Sequence, residues 1–330
     1  MNPGRERRWL PLLLLALTFL TTLLAGASFG GAPGPLLPAP ASGEYPGILP
    51  FIAHTLAFLM NGLPYALTVL GILGAHEMGH YIACRVYGVQ ATWPHFLPSP
   101  FLFGTFGAFI RIHSPIPGRR ALFDIAMAGP LAGYALTIPA LAYGIVTAQV
   151  GELPPGSVST RFGTSLLVSA LKGIVWGEAL DGRQLFVGQV FFAGWLGQLA
   201  TCLNLFPVGQ LDGGHLVYAA SARHHQAVSR SGRWGMLGFL ALLFLLPALR
   251  ELLNPAPLSP AASELFLHGL ASVAPWVAWT VLLFVVGDRH PLILDAEPLG
   301  SRRKLLLGLT LAIFILSFVP VPLQQVFVSP

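Results

Sequence analysis

Charged side chains are scarce in this chain of 330 residues: Asp, Glu, Lys and Arg make up 9%, whereas 54% of the residues are hydrophobic. A soluble protein of this length could not cover its surface with so few charges, so we expect a polytopic membrane protein. Cysteine is nearly absent too, and two residues, Cys84 and Cys202, cannot form a disulfide framework. Both fall in apolar stretches, where free cysteine behaves as a small buried hydrophobe.

Long apolar runs predict an all-α fold of about six to seven transmembrane helices, because about 20 apolar residues cross a hydrocarbon core of ~30 Å. With a cytoplasmic N-terminus and seven helices, fourteen Arg and Lys residues fall on the cytoplasmic side and four outside, as the positive-inside rule requires. The net charge of +5 is thereby explained by topology and needs no nucleic acid. The runs lie near residues 9–29, 62–87, 121–147, 186–206, 234–253, 269–287 and 303–320.

Several segments outside these runs have patterns of their own. The β-branched and aromatic residues around 104–112 predict a short β-strand or hairpin, with a plain cytoplasmic loop as the alternative. If exposed, such a strand edge would suit an extended substrate segment. Residues 165–176 predict an interfacial amphipathic helix, and residues 220–233 a basic cytoplasmic loop. Inside the run at 121–147, Asp124 is expected to cap the start of the helix.

The first run opens a separate question. Arg5–Arg8 and the apolar residues after them fit either a cleaved signal peptide or a retained anchor. We favour the anchor, and either reading exports the residues after 30.

The stretch His76-Glu77-Met78-Gly79-His80 lies inside an apolar run that has no proline between Tyr65 and Val86. On a helix, two histidines four apart lie about 6 Å apart along the axis and about 40° apart around it. They can therefore bind one Zn²⁺ from the same face, with Glu77 as a base for water. Because a carboxylate at membrane depth costs roughly 2.5–3.5 kcal/mol on insertion scales, Glu77 is expected to be functional. The alternative is a purely structural role, in which the two histidines pack between helices with a buried glutamate as their partner.

A catalytic zinc has three protein ligands and one open position. Asp212, in Leu211-Asp212-Gly213-Gly214 at the end of a later run, is the best candidate for the third. An ordinary turn explains the same residues equally well, and Cys84, one turn beyond His80, is weaker still as a ligand. The other histidines fall mostly in predicted loops.

Two motifs in order, HExxH and Asn204-x-x-Pro207-x-x-x-Leu211-Asp212-Gly213, resemble those of the site-2 protease family of intramembrane zinc metalloproteases. Between them lies Ala128-Gly129-Pro130-Leu131-Ala132-Gly133. Residues 71–214 are also similar to the chloroplast and cyanobacterial branch linked to ethylene-dependent gravitropism and a yellow-green phenotype. The resemblance implies one Zn²⁺ per chain bound by His76, His80 and Asp212, with Glu77 as catalytic base. It further implies that Asn204 orients the substrate or stabilises the oxyanion.

The expected function is then zinc-dependent endopeptidase cleavage of membrane-anchored proteins in regulated intramembrane proteolysis. The alternatives are a catalytically silent membrane scaffold or assembly factor, and a metal transporter. We expect an N-terminal anchor or signal segment, an external linker and a short apolar helix over residues 1–61. A catalytic intramembrane metalloprotease core follows over 62–215, and a basic cytoplasmic loop with three transmembrane helices over 216–330. Scarce lysine beside abundant arginine, glycine and proline indicates a bacterium, hence its inner (plasma) membrane, with the site toward the cytoplasm. The substrate, the trigger and the oligomeric state do not follow from the sequence.

Overall fold

The computed structural model describes residues 9–29, 47–101, 103–152, 158–180, 183–253, 260–291, 293 and 297–327. Within them the chain is mostly helical, as predicted, with short two-stranded sheets. The helices are α1 (Trp9–Phe29), α2 (Ile48–Asn61), α3 (Leu63–Val86), α4 (Arg119–Val146), α5 (Leu166–Trp176), α6 (Gln189–Asn204), α7 (Asp212–Ala220), α8 (Ala222–Leu253), α9 (Pro260–Val286) and α10 (Gly300–Ser317). The strands are β1 (His95–Pro98), β2 (Thr105–Phe109), β3 (Gln149–Gly151), β4 (Val158–Phe162), β5 (Gln184–Phe186) and β6 (Leu323–Phe327).

The described residues divide into two compact units. The first comprises residues up to Pro115 together with Ala128–Gln149 and Phe186–Ala200, and the second comprises Ile116–Met127, Val150–Leu185 and the residues from Thr201 onward. Helices α4 and α6 therefore contribute residues to both units.

In the first unit, α1 packs against the start of α3. Gly62 lies so close to α1 that a Cβ there would overlap the carbonyl oxygen of Leu23. The fully buried Tyr65 stacks on Phe192 of α6, with ring centroids 5.6 Å apart, and donates a hydrogen bond to the carbonyl of Phe103 (2.9 Å). Aromatic packing thus anchors the first turn of the helix that carries the HExxH sequence.

The predicted hairpin is present in this unit. Strands β1 and β2 pair antiparallel, from His95 opposite Phe109 to Pro98 opposite Thr105, with an irregularity between Leu97 and Pro98. Gly104 has φ +71°, a conformation that favours glycine, and its carbonyl accepts a hydrogen bond from the Thr21 hydroxyl of α1 (2.6 Å). The hairpin is therefore tied to α1, while its role in substrate binding stays a prediction.

The core of the second unit forms where the end of α6 meets α8, α9 and α10. Phe206 and Trp276 are buried at its centre, and Phe206 contacts Phe314 of α10 edge to face, at 5.2 Å between centroids. Trp276 donates its indole N–H to the carbonyl of Pro320 (2.8 Å). Strands β4 and β6 pair antiparallel, with Val158 opposite Phe327.

The predicted count of six to seven transmembrane helices is not confirmed. Within the described residues, α1 and α4 are long and apolar enough to cross a membrane, and α2 with α3 forms a third candidate span bent by 42°. Helix α6 has only 16 residues, and of α9 only Val273–Val286 is assigned as a shorter apolar helix.

Two local predictions were wrong, both at helix starts. The basic stretch after Ala220 is not a loop, because α8 begins at Ala222 and runs for 32 residues. Helix α4 begins at Arg119, so Asp124 does not cap it and instead pairs with Arg303 of α10 (2.6 Å). By contrast the helix expected at residues 165–176 is present as α5, and Ser165 caps it by accepting a hydrogen bond from the N–H of Val168. Its place at the membrane interface stays a prediction.

Candidate metal centre

Helix α3 places its two histidines on one face, as the four-residue spacing predicts. Their Nε2 atoms lie 3.2 Å apart, and both side chains are buried. Two nitrogens that each bind zinc at 2.0–2.1 Å in tetrahedral geometry are separated by about 3.3 Å. The pair His76 and His80 is therefore already spaced to share one zinc ion through Nε2.

Asp212 is the first residue of α7, not part of a free turn. The two glycines after it allow the first turn of α7 to rest on the preceding loop, since a Cβ at Gly213 would overlap the carbonyl oxygen of Leu205. At Gly214 a Cβ would overlap that of Gly209. Close backbone packing thus explains why glycines follow the aspartate.

The far end of α7 is held by a charged group. Arg119 donates hydrogen bonds to the carbonyls of Ala219 and Ala220, both at 3.0 Å. A cation at a helix C-terminus also complements the helix dipole. The helix that begins with Asp212 is therefore fixed at both ends.

His76, His80 and Asp212 each offer one ligand atom for a metal ion, a ring nitrogen from each histidine and a carboxylate oxygen from the aspartate. Two imidazoles and one carboxylate form a ligand set of the catalytic-zinc type, which leaves a fourth position open. Among the described residues, this group of three could hold a metal ion. Cys84 is buried nearby in sequence but is not in the group.

Glu77 and Asn204 are the two remaining residues of the predicted site. Glu77 follows His76 on α3 and is buried, with 6% of its surface exposed. Asn204 is the last residue of α6 and is half-buried. Their catalytic roles stay predictions.

A histidine cluster in the second unit was not foreseen. His290, after α9, lies 2.7 Å (Nε2) from Nδ1 of His215 on α7 and stacks on Tyr218, with ring centroids 3.9 Å apart. The ring of His225, on α8, lies 5.4 Å from the ring of His290, measured between centroids. Burial lowers the pKa of His290, while a hydrogen bond to the carbonyl of Pro291 opposes this and His225 adds to it. Because His215 and His290 are 75 residues apart, no sequence spacing signals the contact.

Comparison with known proteins decides the family. Residues 64–246, more than half of the chain, match peptidase family M50. The chain belongs to peptidase family M50. This agrees with the site-2 protease resemblance and with the predicted class of metalloendopeptidase, and it makes Zn²⁺ the metal expected at the group of three ligands.

Named relatives of this M50 chain include "Probable zinc metalloprotease EGY1, chloroplastic" of Arabidopsis thaliana, 31% identical over 80% of this chain and 44% of the relative. "Probable zinc metalloprotease EGY2, chloroplastic" of Oryza sativa subsp. indica is 33% identical over 64% and 39%. The EGY1 protein of Oryza sativa subsp. japonica is 28% identical over 97% and 52%. The chain thus spans about half or less of the length of these relatives.

These relatives correct the predicted location. A bacterial inner membrane was expected from the residue composition, but the relatives are named as chloroplastic proteins and point to a plastid membrane. Composition failed here because scarce lysine reports on codon usage and not on the compartment in which a protein works.

Proposed function

We propose that this protein is a zinc-dependent intramembrane endopeptidase that cleaves membrane-anchored proteins within or near the bilayer. The observation that carries the proposal is the buried pair His76 and His80, with Nε2 atoms 3.2 Å apart, next to a buried Glu77 on an apolar helix. Membership of family M50 supports the same chemistry. By the names of its relatives, its place is a plastid membrane.

His76, His80 and Asp212 would hold the zinc ion. When bound, zinc supplies a Lewis acid that polarises a carbonyl and makes a water molecule acidic enough to ionise near pH 7. Glu77 takes the proton from the attacking water and passes it to the nitrogen of the leaving amine. Asn204 donates a hydrogen bond from its side-chain amide to the developing oxyanion.

The substrate must be extended for its peptide bonds to be reached, because a transmembrane helix buries its backbone in its own hydrogen bonds. The hairpin of β1 and β2 offers strand edges to which an extended segment can add. We therefore propose that residues 104–112 hold the substrate beside the site before cleavage, in regulated intramembrane proteolysis.

A metal transporter would need coordinating groups along a path through the membrane. The described residues contain one group of three ligands, His76, His80 and Asp212, which suits a single fixed metal. A silent scaffold would have no use for a buried carboxylate beside two histidines. Hydrolysis is therefore the better account of the same residues.

The test compares the wild-type protein with Glu77→Gln, purified in detergent, on a panel of single-span reporter proteins. Glutamine keeps the size of the side chain but cannot accept the proton, so we expect full zinc content and no cleavage. Zinc is measured by atomic absorption in the same samples. Cleavage at the wild-type rate by Glu77→Gln would refute the mechanism.

A further inference from the structure

Within the first unit, α3 and α4 meet through glycines at the turn that carries both histidines. A Cβ at Gly79 of α3 would overlap the carbonyl oxygen of Ala128 on α4. A Cβ at Gly133 of α4 would lie 3.1 Å from Cβ and 3.3 Å from Nδ1 of His76. The backbone of α4 therefore passes directly beside the HExxH turn, with no side chain between.

Gly129 of α4 lies against the ring of the second histidine. A Cβ there would overlap three atoms of His80, with Nε2 the nearest, followed by Cδ2 and Cε1. Nε2 of His80 is also the atom that lies 3.2 Å from Nε2 of His76. The space that an alanine methyl group would occupy is thus held by the nitrogen that faces the shared metal position.

We propose that Gly129 is a positioning residue of the zinc site, and that its missing side chain allows the His80 ring to present Nε2 to the metal. The proposal rests on the proposed function, and it adds a requirement that the ligands alone do not contain. A helical side chain has few allowed χ1 rotamers, so a ring pressed from α4 cannot simply turn aside. It must retreat as a whole or leave its rotamer.

The size of the required movement decides the effect. An ordinary contact with a Cβ begins at 3.4 Å, so the ring would have to retreat by roughly 1 Å. Functional constellations must be held within about 0.5 Å. A single methyl group at residue 129 is therefore enough to break the geometry of the pair while every ligand is still present.

The chain supplies a matched control on the same helix as the histidines. A Cβ at Gly71 of α3 meets nothing within 4 Å, so Gly71→Ala makes the same chemical change in open space. Alanine is also the better helix former. Any loss of metal affinity that is seen with Gly129→Ala and not with Gly71→Ala is therefore due to the position of the added methyl group.

The experiment titrates the purified full chain, stripped of metal, with Zn²⁺ and with Co²⁺, and records visible absorption of the cobalt form. We expect Gly129→Ala to bind both metals at least about 100-fold more weakly, beyond the 10–100-fold typical of lost supporting contacts, and to change the cobalt spectrum. Gly71→Ala should match the wild type. Wild-type affinity and spectrum in Gly129→Ala would overturn the proposal.

If Gly129→Ala does not fold, a second pair of variants decides. Removal of the ring in His80→Ala removes the overlap, so the double variant His80→Ala, Gly129→Ala should fold as well as His80→Ala alone. If the double variant does not fold while His80→Ala does, the loss of stability comes from backbone packing, and the positioning role is rejected. These readouts use no substrate. Cleavage by Glu77→Gln would refute only the proposed mechanism. Normal metal binding by Gly129→Ala would refute only the positioning role of Gly129.

Discussion

At the scale of single residues, burial makes the candidate site sensitive to small changes. His76, Glu77 and His80 each expose less than a tenth of their surface, so bulk solvent compensates poorly for a partner lost there. A charged or polar group left there without its partner carries its full desolvation cost. Substitutions that preserve the shape of a side chain should therefore show which residues bind the metal and which transfer protons.

Loss of the third ligand should remove the metal. Asp212→Ala leaves two imidazoles, which is one ligand short of a catalytic zinc site. We expect zinc content to fall from about one per chain to a small fraction, as measured by atomic absorption after dialysis against a weak chelator. Glu77→Gln serves as the control because it should keep its zinc, and a fully loaded Asp212→Ala would exclude that residue as a ligand.

Asn204 should affect the rate and not the metal. If its amide donates to the oxyanion, Asn204→Ala should lower kcat by about 10²–10³-fold, the usual effect of removing one such donor. Steady-state cleavage of a reporter, with zinc measured in parallel, checks this. A large rise in KM at unchanged kcat would instead assign Asn204 to substrate binding.

At the scale of elements, α7 is a short helix of nine residues that owes its position to its neighbours. Arg119 donates hydrogen bonds to its last carbonyls at one end. Its middle contacts the segment after α9 through His290, which lies against His215, and through the N–H of Ile293, which donates to the Tyr218 hydroxyl. That segment is tied down by Asp288, which pairs with Arg233 of α8 (2.8 Å), and by Glu297, which pairs with Arg120 of α4 (2.7 Å). An isolated helix of this length would be marginal in water.

Removal of the cation at the end of α7 should destabilise the protein without touching a ligand. Arg119→Ala loses two charge-assisted hydrogen bonds, and we expect a loss of about 1–3 kcal/mol. A lower Tm in detergent would show it. Arg119→Lys keeps the charge but not the forked geometry, so it should recover only part of the loss. Equal Tm values for all three proteins would contradict the role of Arg119.

The segment around His290 should loosen in acid. Burial lowers the pKa of His290 below its usual 6.5, so in the unfolded segment this imidazole takes up a proton at a higher pH than in the folded one. Stability is therefore complete above about pH 6.5 and falls as the pH drops below that value. The ring faces His215, His225 and Tyr218, and proton uptake by it would also disturb those contacts.

Hydrogen exchange of the backbone between Gly287 and Leu299, measured at pH 7.5 and 5.5, tests this. After correction for intrinsic rates, we expect faster exchange in acid for the wild type. His290→Phe keeps the stacking on Tyr218 but does not titrate, so its corrected exchange should be nearly independent of pH. Equal pH sensitivity in both proteins would assign the effect to another group.

At the scale of the whole molecule, some features followed from the sequence and others could not. Helical spacing was enough to place His76 and His80 on one face. Asp212 lies 132 residues beyond His80; the residues alone made it a candidate ligand but allowed an ordinary turn equally well, and only the family resemblance favoured the ligand. Hydropathy detects apolar length, so it missed the polar first turns of α8. The three-part division at residues 62 and 216 stays a prediction.

Metal removal tests the molecule as a whole. Treatment with a strong chelator should abolish cleavage, and about one equivalent of Zn²⁺ per chain should restore it, because the described residues offer one group of three ligands. Reporter cleavage and bound zinc are followed together during the titration. Full activity in protein shown to be free of metal would overturn the assignment to zinc hydrolysis.

The contact between Gly62 and Leu23 has a consequence for how α1 can leave the protein. Backbone touches backbone there, the amide of Gln189 donates to the carbonyl of Gly26 (2.7 Å), and Thr21 is bonded to the hairpin. If the chain were cut between α1 and α2, these contacts would still hold α1 in place, as they would hold a bound peptide. Cleavage of the chain after α1 and departure of that helix are therefore two separate events.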